Sequence, residues 1–332
     1  MKLTNKFNIP QTFVNVLKRP TYSKGKANLS VTQLINSPKI VALTKKFDDQ
    51  IEQDVADMVW SLFGSAVHNI LEHGKDENHV VEQRIHAELE GWNISGAVDL
   101  QLIQKDGISI KDYKTTSVWA VMNEKIEWEY QLNIYAWLVE HVKKIPVTDL
   151  GIVAILRDWK AREVETKEGY PEAPIKEVPI TLWTMAEREE FIKARISAHS
   201  ECEFALETDG DLPDCTSEEM WEKPAVWAVM KIGGKRAHSL YETAELAIAS
   251  CTELGDKYEV IERKGERTRC ASYCPVSTWC NQYQTYLKEQ AWAFTKNSKK
   301  QGHCFTKLLS TNQGKISLQG SITLNWVTLF PK

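Results

Sequence analysis

The sequence predicts an α/β protein built on a mixed central β-sheet flanked by helices. Apolar residues recur with period 2 in some stretches and period 3.6 in others, and the two kinds of stretch alternate along the chain. One pair of strand-like runs meets at Lys105-Asp106-Gly107, and Asp-Gly between alternating runs is a hairpin signal, hence antiparallel pairing. Later strand-like runs are separated by helical ones and need crossover connections, so the sheet is mixed.

Taken in order, residues 27–45 predict two short helices, one opened by Ser30 and one begun at Ser37-Pro38, since Pro is tolerated in a first helical turn. Asp48 to His73 reads as a helix stopped by Gly74, with Val55, Val59, Phe63, Val67, Ile70 and Leu71 at helical spacing. "HVVEQRIHAELEGW" is a strand, and "NISGAVDLQLIQKDGISIKDYKT" supplies the two strands of the hairpin. Residues 127–142 are helical and aromatic-rich; 148–159 form a largely buried strand and "IKEVPITLW" another. Thr184 followed by Glu187 is a capping box opening a long helix to about Leu206. Residues 224–263 have the β-β-α-β order of a small separate unit, and after Tyr286 the pattern weakens.

Composition is that of an ordinary globular protein, with 42% hydrophobic and 26% charged residues. No apolar run is long enough for a signal peptide or a bilayer span, so the expected setting is the cytoplasm of a bacterium or of a phage-infected host. There the seven cysteines are thiols or metal ligands rather than disulfides. Net charge is −4, but from Thr285 onward the balance is +6, leaving the remainder at −10. A nucleic-acid groove in such a body must carry its positive charge locally.

"ISIKDYKTTS", residues 108–117, ends a strand on an acid and a base. Residues i and i+2 share a strand face, so Asp112 and Lys114 project side by side. If Gln104 and Gly107 close a two-residue hairpin, Asp99 lies opposite Asp112; if Asp106-Gly107 is the loop, it lies opposite Lys114. Either register converges two carboxylates and an ammonium on one patch. Hard carboxylate ligands suit Mg²⁺ or Mn²⁺, and a lysine beside them can orient a water and stabilise charge on phosphorus. The plain alternative is a solvated Asp–Lys pair on a polar strand face. Tyr113 points the other way and offers a metal only its backbone carbonyl.

"G-A-V-D" ending at Asp99, followed by "D-Y-K", resembles the core of the PD-(D/E)XK nucleases, particularly the RecB-like exonuclease branch. "GSAVH", Gly64 to His68, is similar to that branch's G-x-x-x-H helix motif, and "QLNIY", Gln131 to Tyr135, to its Q-x-x-x-Y motif. The resemblance covers residues 27–200 and implies a restriction-endonuclease-like core. It implies that His68, Asp99 and Asp112 ligate the metal, that Lys114 is the catalytic base or orienter, and that Gln131 and Tyr135 position DNA or the lysine. Glu82 matches a further acidic position, and Val98 stands where the motif's Pro would.

"CASYCPVSTWC" spaces Cys270, Cys274 and Cys280 as C-x3-C-x5-C, a tetrahedral or cubane site short of one ligand. Cys215 is the candidate fourth, just ahead of the β-β-α-β unit; Cys202 and Cys251 read as packing residues, and Cys304 lies in the unassigned tail. Several RecB-like exonucleases carry a four-cysteine [4Fe–4S] cluster, which the resemblance implies here, with Zn²⁺ as the alternative. Their trio is commonly C-x2-C-x5-C and their fourth cysteine precedes the G-x-x-x-H helix, whereas this chain has no cysteine before Cys202.

Twelve Trp is a high count; Trp119, Trp128, Trp137 and Trp159 flank the patch in sequence. Most are expected in packing and one or two against bases, while Lys111, Arg157 and Lys160, with Lys125 and Arg162, are candidate phosphate contacts. The expected organisation is a nuclease core over 1–214, a cysteine region over 215–284 and a basic tail over 285–332. No Walker A motif occurs, and the compact chain resembles phage or CRISPR-associated exonucleases more than a helicase–nuclease, which implies a metal-dependent DNA exonuclease acting on single strands or ends, in phage-type recombination, repair or replication. The other readings are a nuclease-fold module that binds DNA without cutting it and a zinc-stapled assembly protein.

Overall fold

A computed structural model describes residues 1–18, 25–123 and 125–290. The tail beyond 290, with Cys304, lies outside the described residues. In chain order the elements are β1 (Lys2–Thr4), α1 (Gln11–Leu17), β2 (Leu29–Ser30), α2 (Val31–Ile35), α3 (Pro38–Lys46), β3 (Glu52–Asp54) and α4 (Val55–Leu71). There follow β4 (His79–Leu89), β5 (Trp92–Gln104), β6 (Gly107–Thr116), α5 (Val118–Met122), α6 (Ile126–Lys143), β7 (Val147–Leu156), β8 (Ile175–Ile180) and α7 (Met185–Glu207). Last come β9 (Glu222–Lys223), β10 (Val226–Lys231), β11 (Ala237–Tyr241), α8 (Ala244–Leu254), β12 (Tyr258–Arg263), β13 (Glu266–Arg267) and α9 (Thr268–Ser272). Residues 1–282 form one compact unit; a second begins at Tyr283, and its described residues, 283–290, are helical.

The central sheet runs β2–β5–β6–β7–β8, with β4 also on β5. It is mixed, as the sequence predicts: β4, β5 and β6 are antiparallel neighbours, β6 and β7 are parallel, and β8 returns antiparallel. Pro179 in β8 lacks a ladder N–H, and β8 accordingly sits at the sheet edge. Gln104 pairs with Gly107, so the two-residue hairpin is the register realised. A Cβ on Gly107 would collide with the Pro146 carbonyl, which is why the tight turn needs glycine there.

β5 positions the site. β4 occupies one of its edges throughout. The other edge is shared: β2 pairs only at Ile94 and Ser95, and β6 only from Leu100 to Gln104. Between Ser95 and Leu100 that edge is open, and β6 diverges from it.

α6 crosses from β6 to β7, the connection that parallel neighbours require. Ten of its residues are buried, among them Trp128, Leu132, Trp137 and Leu138, and from Gln131 to Val139 it is buried without a break, covered by the sheet and by α2 and α7. Ser30 and Thr184 cap α2 and α7 with reciprocal capping boxes.

The helix expected over Asp48 to His73 starts later. Asp54 accepts the Ala56 N–H as its N-cap, and residues 52–54 pair in parallel with β1 instead of coiling. The apolar spacing of that helix does not make a buried face. Of its apolar stripe only Val55 is buried, while Phe63 and Ile70 are exposed. The predicted β-β-α-β unit is present as the sheet β11–β10–β12 with α8 packed on it. Among the described residues no helix is long and apolar enough to cross a membrane.

Candidate active site

At the open edge of β5 the chain collects ionisable groups. Asp99 and Asp112 continue the β5–β6 register one step beyond Leu100↔Lys111, where the backbones have parted. The Asp99 carboxylate takes the place of a backbone acceptor: Tyr113 N–H donates to its Oδ2 at 2.8 Å. Across β4, Glu82 occupies the position opposite Asp99, missing from an otherwise continuous ladder. Its φ of +47° lies in the left-handed region that non-glycine residues rarely adopt. Strain of this kind persists where the surroundings enforce it, and it gathers at functional sites.

Asp112 is 1% exposed. Its Oδ1 accepts from Gln131 Nε2 at 3.2 Å, and the same amide donates to the Tyr135 hydroxyl at 2.8 Å. Gln131 and Tyr135 thus hold Asp112 rather than Lys114. Lys114 Nζ lies 2.6 Å from Asp112 Oδ2 as an ion pair, so both Asp112 oxygens have partners. His68 reaches in from α4. Its Nδ1 is 3.3 Å from Glu82 Oε1 and 3.5 Å from Asp99 Oδ2, and its Nε2 is 3.0 Å from the Tyr113 carbonyl. These residues line a cleft of about 700 Å³.

The electrostatics are those of too much negative charge in too little water. Burial first, and then the Asp112 carboxylate, push Asp99 up to about 7. The Glu82 hydrogen bond raises His68 above its ordinary value despite its burial. A group of hard carboxylate oxygens from Glu82 and Asp99, with Asp112 beside them, next to an imidazole and a backbone carbonyl is a donor set that fits a divalent cation such as Mg²⁺ or Mn²⁺. One ligand atom each from His68, Glu82 and Asp99 lie within 4.8 Å of one another.

The cleft also takes in residues the motifs do not name. Ser61, Ser65 and Glu72 share the His68 side of α4, and helical periodicity counted outward from His68 identifies them. Thr115 lines it too, with its hydroxyl buried and unpaired among the described residues.

Three candidate phosphate contacts lie elsewhere. Lys111 Nζ is tied to Asp149 at 2.7 Å and Glu177 at 2.5 Å, on the strand face opposite Asp112, so it is a structural cation rather than part of the cleft. Lys160 pairs with Glu163 at 3.3 Å. Arg157 stacks on Trp60, its guanidinium carbon 4.6 Å from the ring centroid. Of the flanking tryptophans, Trp128 and Trp137 are buried and Trp119 is exposed, while Trp159 donates to the Pro171 carbonyl.

Cys215, Cys270, Cys274 and Cys280 are free thiols that the fold gathers into one region. Burial is the main cause that pushes Cys215 up to about 11 and holds Cys270 and Cys274 above the ordinary thiol range, and Cys280 adds to the rise at all three. Cys202 is buried on α7, outside this group. Gln282 clamps Cys215 from both sides, accepting from its N–H and donating to its carbonyl, each at 2.9 Å.

A sequence profile of the PD-(D/E)XK nuclease superfamily matches residues 42–281, a span that runs from α3 through Cys280. The chain belongs to this superfamily of metal-dependent nucleases. No curated protein matches it. One solved structure, described as "Crystal structure of SSO0001", aligns at 18% identity and a TM-score of 0.39 over 56% of this chain and 82% of its own, too low a score to support any assignment.

Proposed function

We propose that the chain is a Mg²⁺- or Mn²⁺-dependent DNA exonuclease of the RecB-like branch, acting on single-stranded DNA or DNA ends in phage-type recombination, repair or replication. The observation that carries this reading is the convergence of His68, Asp99, Asp112 and Lys114 on one open sheet edge, with Asp112 held by Gln131.

His68, Asp99, Asp112 and the Tyr113 carbonyl would hold the cation, with Glu82 beside them. A divalent cation there supplies charge neutralisation at phosphorus and a more acidic water. Lys114, steered by Asp112, polarises the attacking water and the phosphate oxygens. The water oxygen bonds to phosphorus, the P–O bond to the leaving sugar oxygen breaks, and that oxygen takes up a proton. Gln131 and Tyr135 keep Asp112 in one rotamer through this change of charge.

Cys215, Cys270, Cys274 and Cys280 are the proposed ligands of a [4Fe–4S] cluster, with Zn²⁺ as the other metal that four thiolates accept. Cys280 acts electrostatically on Cys215, Cys270 and Cys274, whereas no cysteine is among the groups that act on Cys202, which supports this set over one that includes Cys202. The cluster would staple the 215–284 region, with its β-β-α-β unit, onto the nuclease core.

The test incubates end-labelled linear DNA and matched circular DNA with Mg²⁺ or Mn²⁺. The parent protein should release nucleotides from linear DNA only, and Lys114→Ala and Asp112→Ala should release none while keeping the parent's circular dichroism. Cleavage of circles would replace exonuclease with endonuclease, and cleavage surviving both substitutions would overturn the site.

A further inference from the structure

The exposed face of α4 is unusual for a soluble protein. Trp60 is 57% and Phe63 52% exposed, their ring centroids 5.8 Å apart, on the helix that delivers His68 to the cleft. Large aromatics left in water beside a functional cleft mark an interaction site. Two further observations say for what.

First, the guanidinium of Arg157 lies over Trp60, and among the described residues it has no carboxylate partner. A stacked guanidinium keeps its N–H edge free, the geometry that suits a phosphate. The Arg157 backbone N–H is bonded to the Thr116 carbonyl, next to Thr115 of the cleft, so this cation is anchored to the site.

Second, Trp60, Gly64 and His68 follow one another at i, i+4 and i+8, a single stripe along α4. Its middle position is bare: a Cβ on Gly64 would meet nothing within 4 Å. From Trp60 to His68 is about 12 Å at the helical rise, the span of roughly three to four stacked nucleotides at about 3.4 Å each.

We infer that Trp60, Phe63 and Arg157 form a stacking platform for unpaired bases of a strand that runs over Gly64 into the cleft, so that the enzyme selects single-stranded DNA. The inference rests on the nuclease reading and deepens it by assigning the substrate path. Interior bases of a duplex are already stacked on each other on both faces and cannot occupy a ring face. Arg157 holds a phosphate while Trp60 and Phe63 take base faces, a division of labour that tolerates any sequence.

The experiment reads binding, not cleavage, so it remains informative if the protein cuts nothing. Fluorescence anisotropy follows an end-labelled oligothymidylate, the same oligomer carrying abasic sites, and a blunt duplex, each on Lys114→Ala protein with and without Trp60→Ala. Because Trp60 is on the surface, its truncation leaves the core intact. Trp60→Ala should weaken oligothymidylate binding by roughly 5- to 100-fold, the range one stacked base contributes. It should reduce the preference over the abasic strand, Phe63 keeping the remainder, and leave duplex binding unchanged, and Trp60→Phe should retain part of the affinity. Unchanged oligothymidylate affinity, an undiminished abasic preference, or equal loss on the duplex would each overturn the platform. Failure of the nuclease reading would show separately, as absent cleavage by the parent protein.

Discussion

Gly96 shows how closely the residue scale controls the site. It lies on β5 under α6, and a Cβ there would stand 2.8 Å from Tyr135 Cε1 and 2.9 Å from Leu138 Cδ1. Tyr135 holds Gln131, and Gln131 holds Asp112. Gly96→Ala should therefore cost about 1–3 kcal/mol of stability through overpacking and also lower kcat; thermal unfolding and turnover measured on one preparation check both. His199 on α7 is buried with Nε2 3.2 Å from the Leu34 carbonyl. Burial, and then Arg195, hold its pKa below the usual 6.5, against the pull of that carbonyl and of Glu203 and Glu219. In the fold it stays neutral while the unfolded chain takes up a proton near pH 6.5, so its contribution is intact above that pH and lost as the pH falls towards the depressed folded value. Denaturant midpoints should fall between about pH 7.5 and pH 5.5, and the difference between parent and His199→Gln should shrink over that range. Both residues are plain in the sequence, yet neither is recognisable there, because what matters is which atoms stand opposite them.

At the scale of elements, α6 and α7 are clasped by a buried ion pair. Arg188 pairs with Glu140 at 2.9 Å, and Glu140 also accepts the Val147 N–H at 2.7 Å at the start of β7. Removing one partner leaves the other charge buried and unpaired. Glu140→Ala should cost about 3–5 kcal/mol, and an apolar replacement of both residues should recover part of that, as read by urea denaturation. The helix expected from Asp48 illustrates the limits of periodicity. Its apolar spacing is real, but the helix begins at Val55, seven residues late, and Phe63 and Ile70 of its stripe are exposed. Spacing identifies a face; it does not say what the face meets. Strand parity would have removed Lys111 from the phosphate contacts, since adjacent strand residues point to opposite faces.

Across the whole molecule, segments far apart in sequence meet around the cysteines. Ser37 lies 3.2 Å from Cys215 Sγ, and Lys39, buried on α3, pairs with Asp214 at 2.7 Å. Arg269 reaches Asn36 and the Glu219 carbonyl. If a metal closes this region, protein purified without oxygen should carry bound iron with broad visible absorbance, and its removal should raise hydrogen exchange across 215–282 while leaving 99–116 protected. A colourless protein holding zinc would replace the iron–sulfur assignment, and a metal-free protein with an unchanged exchange pattern would remove the staple. By itself the sequence determined the strand and helix order, the hairpin at Asp106-Gly107 and the motif residues, because periodicity and turn chemistry are local. Only the tertiary structure decided that β5 shares one edge between β2 and β6, that Glu82 is strained opposite Asp99, and that Trp60 stands in solvent next to Ser61 of the cleft. Those facts depend on which distant segments pack together, and the balance of burial, charge repulsion and strand divergence that sets them has no signature in any single stretch of chain.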